Sequence, residues 1–188
     1  DKVDVLHEGF VSEISVKDIS LTYPDKSVPA IASVSLDIPA GTSIAFVGPS
    51  GAGKTTMIDI LLGVLIPDSG SVLVSGLPPL LAVAKWPGAV SYVPQDVVIA
   101  AGTIRENICL GERAISEDSL RNALSISGFM EVLGRFPLGL DTEVSDFLSR
   151  MSGGEKQRLV LARTLYSNPK IIILDEATSN LDSAIERE

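Results

Sequence analysis

The apolar run Ser43-Ile-Ala-Phe-Val47 leads into Gly48-Pro-Ser-Gly-Ala-Gly-Lys-Thr55, after which the chain turns to helical spacing, with Met57, Ile60, Leu61 and Val64 on one face. A strand, a glycine-rich loop and a helix in that order leave few folds open. The loop fits G-x-x-x-x-G-K-[ST] in the context where that pattern has a mechanism. Its glycines let backbone N–H groups wrap an anion, and the helix N-terminus behind them adds positive potential. In such loops the lysine, here Lys54, reaches the β- and γ-phosphates, and the hydroxyl, here Thr55, ligates Mg²⁺. The plain alternative for the same residues is a glycine-rich turn with an exposed lysine.

Further patterning surrounds this unit. Ile14 and Val16, then Ile19, Leu21 and Tyr23, alternate with polar residues, and the slip of phase at Lys17-Asp18 predicts a bulge or turn. Pro24-Asp25-Lys26 reads as a turn, and Val34, Leu36 and Ile38 alternate again up to Pro39-Ala-Gly41. Ser43–Val47 reads as a strand buried on both faces. After the helix, Pro67-Asp-Ser-Gly70 is a turn and Val72–Val74 opens a strand. Leu77–Gly88, with three prolines, reads as irregular, and Ala89–Val93 as a strand leading to Pro94-Gln95. Residues 100–150 look helical and looped, with Ser116 an N-cap ahead of Glu117 and Asp118. A long helix is predicted from Gly153 to about Tyr166, stopped by Asn168-Pro169, and then a buried strand, Ile171–Leu174. Strand–helix alternation around a phosphate loop implies an α/β core, with the middle block a helical lobe inserted into it.

Two more motifs lie downstream. Met151-Ser-Gly-Gly-Glu-Lys-Gln-Arg158 contains a capping box in which Ser152 caps the helix and Glu155 reaches back to it. The same open helix end presents N–H groups and a hydroxyl to an anion. Ile171-Ile-Ile-Leu-Asp175-Glu176 ends an apolar run in two acids. A carboxylate at the end of a buried strand costs free energy unless it is paired or near a metal, which suits Asp175 to a Mg²⁺ shell. Glu176, directly after it, can serve as a general base for an attacking water or as an acidic N-cap of the next helix.

Phosphate loop, Ser-Gly-Gly-Glu signature and Asp-Glu pair, in that order, resemble the nucleotide-binding domain of ATP-binding cassette (ABC) proteins from about Ile14 to Glu188. The resemblance implies a P-loop NTPase (RecA-like) core with an antiparallel β subdomain and an inserted helical subdomain at about 100–153, behind a linker at 1–13. It implies ATP and Mg²⁺ as ligands. Tyr23 would stack on adenine; its alternative is a core-edge tyrosine. Gly48, Ser50, Gly51, Gly53, Lys54, Thr55 and Thr56 would hold the phosphates, and Thr55, Gln95 and Asp175 the metal. Glu176, Gln95 and Lys54 would carry the chemistry. Ser152, Gly153 and Gly154 would cap ATP on a second ABC domain in a head-to-tail dimer. Asp182, in Ser179-Asn-Leu-Asp182, would bridge the two copies or cap a helix. Met151, Glu155 and Asn180 stand where the family often has Leu, Gln and Ala.

Gly102-Thr-Ile-Arg-Glu-Asn-Ile108 and Phe136-Pro-Leu-Gly-Leu-Asp-Thr-Glu-Val144 look like exporter-type domains, although Ser145-Asp146-Phe147-Leu148 replaces the Gly-Glu-x-Gly usual there. That likeness implies a transmembrane partner, on the same or a companion chain, and a soluble domain at the cytoplasmic face of the cell membrane. Both termini look cut, and the family's switch histidine would lie beyond Glu188. The net charge of −9 argues against a broad nucleic-acid surface, and no nucleic acid is expected. The alternative is a DNA- or ribosome-associated ABC ATPase, although chromosome-organising members separate loop and signature by a very long coiled coil. No Asn-Lys-x-Asp guanine motif supports a GTPase. The single cysteine, Cys109, reads as a small buried hydrophobe, the single histidine, His7, as solvated, and Trp86 as packing.

Overall fold

A computed structural model of the chain describes residues 7–96, 98–110, 115–147 and 151–175, without the side chains of 146 and 147. These fall into two units, the first ending at Val90 and the second beginning at Ser91.

In the first unit, β1 (Ile14–Leu21) lies between β2 (Ile31–Ile38) and β3 (Ser69–Val74) in an antiparallel sheet. Ile14, Val16, Ile19 and Leu21 are all buried, which strict alternation would forbid. The pairing slips between Val16 and Ile19 against β2 and between Lys17 and Ser20 against β3. Asp18 takes a φ of 47° there, so the predicted bulge restores the inward face to Ile19. Gly70 passes close behind it with φ +82°: a Cβ would stand 2.3 Å from the Lys17 carbonyl oxygen. The turn at Pro24 forms, with the Lys26 N–H donating to the Tyr23 carbonyl at 2.9 Å.

α1 (Lys54–Leu61) buries Met57, Ile58, Ile60 and Leu61. Val64, expected on the same face, is 69% exposed. The helix has ended by then, and Gly63, at φ +76°, turns the chain away. Leu77–Gly88 was expected to be irregular but contains α2 (Pro79–Lys85), with proline in its first turn. There the missing N–H has no helical acceptor to lose, so the prolines start this helix. Both helices lie against β3.

His7 is buried and not solvated, with Nε2 3.1 Å from the Pro87 carbonyl oxygen. Trp86 draws this segment in: its Nε1 donates to the Glu8 carbonyl at 2.8 Å, and Phe10 packs edge-on at 5.3 Å. Trp86 is thus the packing residue the sequence suggested, whereas the burial of His7 depends on partners about eighty residues away. The strand expected at Ser43–Val47 does not form, and Val47 is 92% exposed. Ladder bonds make a strand, and no described residue pairs with this segment.

In the second unit, β4 (Val90–Val93) pairs with β5 (Ile171–Leu174). β5 is not buried on both faces as expected: half-buried and exposed residues alternate, with Leu174 44% exposed. Among the described residues it has one lateral neighbour, so it lacks the cover of a sheet interior. The helical layer comprises α3 (Ile104–Ile108), α4 (Glu117–Ile126), α5 (Phe129–Leu133), α6 (Val144–Phe147) and α7 (Gly153–Tyr166). α7 lies against α3, α4 and α5, around a core that includes Phe129, Leu120, Leu159 and the buried Cys109. Ser116 caps α4 through the Ser119 N–H, and Asn168, at φ 49° before Pro169, ends the turn after α7. Among the described residues no helix is long and apolar enough to cross a membrane.

Candidate nucleotide-binding site

The phosphate loop gets its shape from two left-handed glycines. Gly51 and Gly53 have φ of +81° and +87°, and a Cβ on Gly53 would lie 2.5 Å from the Ala30 carbonyl oxygen. Only glycine fits that passage. α1 starts immediately afterwards with no side-chain cap, and its first-turn N–H groups have no intrahelical acceptors. Lys54 folds over the loop: Nζ donates to the carbonyls of Gly48 (2.9 Å) and Pro49 (3.1 Å). Gly48, Ser50, Gly51 and Thr55 are exposed, and Thr56 is buried. The Tyr23 hydroxyl lies 3.2 Å from Thr56 Oγ1, which brings the tyrosine to the start of α1 with its ring half-buried. An ammonium, hydroxyls and the N–H groups of a helix start around one loop can receive a phosphate chain.

The signature folds as the capping box predicts. The Ser152 hydroxyl accepts from the Glu155 N–H at 3.3 Å, and Glu155 Oε2 accepts from the Ser152 N–H at 2.9 Å. Gly153 and Gly154 form the first turn of α7, beside a cavity of about 590 Å³. Burial alone would raise the Glu155 pKa, but the Ser152 N–H and the Arg135 guanidinium, which pairs with Oε1, hold it below the usual glutamate value. Arg135 was not legible in the sequence, because it lies just beyond α5 and no local pattern ties it to the signature. Arg163 was missed too. It is half-buried in α7, donating to the Asn107 carbonyl (2.7 Å), Asn107 Oδ1 (3.0 Å) and the Val98 carbonyl (2.9 Å). Burial lowers its pKa from the ordinary arginine value. Asn107 is fully buried and also grips both backbone groups of Ala100, so the segment after Gln95 is tied to α7. The signal for this was Thr103-x-x-Glu106, a second capping box that fixes the start of α3 and with it Asn107.

Gln95 sits exposed in the bend after β4. Asp175 follows β5, its N–H donating to the Val93 carbonyl at 3.0 Å and its Oδ2 accepting from the Tyr92 hydroxyl at 3.3 Å. The strand pair thus brings the Gln95 segment and Asp175 to one end of this sheet. Asp175 is half-exposed and not buried as expected, so its carboxylate stays in contact with water and needs no metal to offset a burial cost. Glu176 and Asp182 lie outside the described residues, and the phosphate loop belongs to the first unit and the other motifs to the second. Among the described residues no three His, Cys, Asp or Glu side chains cluster as a metal cage. Mg²⁺ needs none, since one or two protein oxygens with phosphates and waters complete its shell. Thr55 in the first unit, and Gln95 and Asp175 in the second, each carry an oxygen of that kind.

Strand pairs, a phosphate loop and a glycine-headed helix define a P-loop nucleotide-binding domain. A family profile described as ABC transporter matches residues 31–179. The chain is 39% identical over 176 residues to an ATP-dependent lipid A-core flippase of Thiobacillus denitrificans, covering 93% of this chain and 30% of the flippase. It is 36% identical over 186 residues to the colicin V secretion/processing ATP-binding protein CvaB of Escherichia coli, covering 98% of this chain and 27% of that protein. A solved structure of a bacterial Atm1-family ABC exporter with ATP bound superposes with a TM-score of 0.82 at 34% identity, over 94% of this chain and 31% of the exporter. The chain belongs to the ABC transporter family. It spans less than a third of the length of these relatives.

Proposed function

We propose that the chain binds ATP with Mg²⁺ and hydrolyses it to drive an exporter, working as a head-to-tail pair at the cytoplasmic face of the cell membrane. Residues 1–13 are the linker and 14–188 the ATP-binding domain, with a helical subdomain at about 100–153 that meets the transmembrane partner. The observation that carries this reading is the pair of glycine-framed helix starts: Lys54 on its loop at α1, and the Ser152 cap with Gly153 and Gly154 at α7. Each presents N–H groups at a positive helix end, and a phosphate held between two copies needs both.

In this reading Tyr23 stacks on adenine, and the loop from Gly48 to Thr56 holds the phosphates, Lys54 exchanging its loop carbonyls for phosphate oxygens. Thr55, Gln95 and Asp175 hold Mg²⁺, which when bound neutralises charge on the β- and γ-phosphates. Gln95 and Glu176 orient the water. Its oxygen attacks the γ-phosphorus, the bond to the β-γ bridging oxygen breaks, ADP leaves, and the water proton passes to Glu176. Base help of this kind is worth about 10²–10⁴-fold in rate. Ser152, Gly153 and Gly154 of one copy contact the γ-phosphate on the other, and Asp182 joins the copies.

In the full-length protein, Glu176→Gln removes the base and keeps the ligands, so it is expected to accumulate an ATP-dependent closed dimer. Ser152→Arg in that background puts bulk at the phosphate contact and is expected to abolish it. Sedimentation that shows no ATP-dependent change in Glu176→Gln overturns the dimer reading.

A further inference from the structure

The cavity at the start of α7 is walled by two carboxylates and two guanidiniums: Glu131, Glu155, Arg135 and Arg158. They sort into pairs. Arg158 Nη1 lies 3.9 Å from Glu131, whereas Arg135 Nη2 pairs with Glu155 Oε1. The other oxygen of Glu155 holds the Ser152 N–H, so the capping acid stands at the turn formed by Gly153 and Gly154. A carboxylate there caps the helix well and opposes an incoming phosphate. A neutral glutamine would keep the cap without that opposition. This chain carries the acid, and with it an arginine from outside the signature. Arg135 is 60% exposed and anchors no core, so its pairing is chiefly electrostatic.

We infer that Arg135 is a positioning residue for ATP-driven closure, neutralising Glu155 so that the N-terminus of α7 can accept the γ-phosphate of the partner copy. This rests on the dimer reading above. Each closed dimer would hold two such pairs, one at each phosphate contact. The cap bonds run between Ser152 and Glu155 alone, so what Arg135 adds is charge balance at the mouth.

The test uses the full-length protein carrying Glu176→Gln and reads, by sedimentation, the ATP concentration that gives half-maximal closure. Arg135→Ala is expected to raise it roughly 2- to 5-fold, the scale of one partly screened charge contact, and the penalty is expected to shrink in high salt. Arg135→Lys keeps the charge and is expected to restore closure. In a Glu155→Gln background the acid is gone, and Arg135→Ala is expected to have no further effect. An equal effect of Arg135→Ala in both backgrounds, whether null or a salt-independent loss, overturns the inference, since a purely structural arginine is indifferent to the charge at 155. Absence of closure in Glu176→Gln itself would instead refute the dimer reading on which the inference stands.

Discussion

At the scale of single residues, the phosphate loop and Tyr23 make separable contributions. Among the described residues Lys54 is held by two carbonyls of its own loop, contacts that its ammonium can exchange for a better anion. Lys54→Ala is therefore expected to weaken ATP binding strongly, and calorimetry showing unchanged affinity would contradict its role. Tyr23→Ala is expected to lose about 1–3 kcal/mol of nucleotide affinity, the range for base–aromatic stacking. Tyr23→Phe removes the hydroxyl contact to Thr56 and keeps the ring, so it should bind almost as well as the parent. A phenylalanine variant as weak as the alanine one would mean that the hydroxyl matters and the stack does not. Gly53 is a packing matter: its Cβ would enter the Ala30 carbonyl at a positive φ. Gly53→Ala should destabilise by more than about 1 kcal/mol in denaturant unfolding as well as deform the loop.

Elements with a strong local code were legible and those defined by partners were not. α7 begins and ends where the sequence places it, because Ser152 and Glu155 write its start and Asn168-Pro169 its stop. Ser152→Ala should therefore cost about 0.5–2 kcal/mol of stability even without nucleotide, and thermal or denaturant unfolding reads this directly. The acid in that cap also makes it pH-dependent. The folded pKa of Glu155 is depressed, so its contribution is full above the ordinary glutamate range and lost as pH falls through the lower folded value. Comparing Glu155→Gln with the parent, the stability difference should shrink on acidification; a difference that grows would reverse the sign. The bulge in β1 was visible as a slip of phase, and Gly70 confirms why it is tight. α2 was hidden because its prolines read as breakers until their first-turn position is known. The strand expected at Ser43–Val47 and the full burial expected of β5 failed for one shared reason: apolar runs name candidates for burial, but ladder neighbours decide it. Of the site, the loop, the capping box and the position of Asp175 after β5 could be read directly. Arg135 and the Arg163–Asn107 tie could not, because each joins segments with no shared local pattern.

At the level of the whole molecule, these motifs are proposed to form a working ATPase and not only a nucleotide receptor. Binding alone would need the phosphate loop and an aromatic. Turnover needs in addition a base, a metal shell and the second copy's signature, the roles proposed above for Glu176, for Thr55, Gln95 and Asp175, and for Ser152-Gly153-Gly154. The most direct measurement is phosphate release by the full-length protein with ATP and Mg²⁺, run beside its Glu176→Gln and Ser152→Arg variants. Sustained release is expected from the parent, with loss of about two orders of magnitude or more in Glu176→Gln while ATP stays bound, and comparable loss in Ser152→Arg. Release that is unchanged in both variants, or a parent that binds ATP and releases no phosphate, would contradict it.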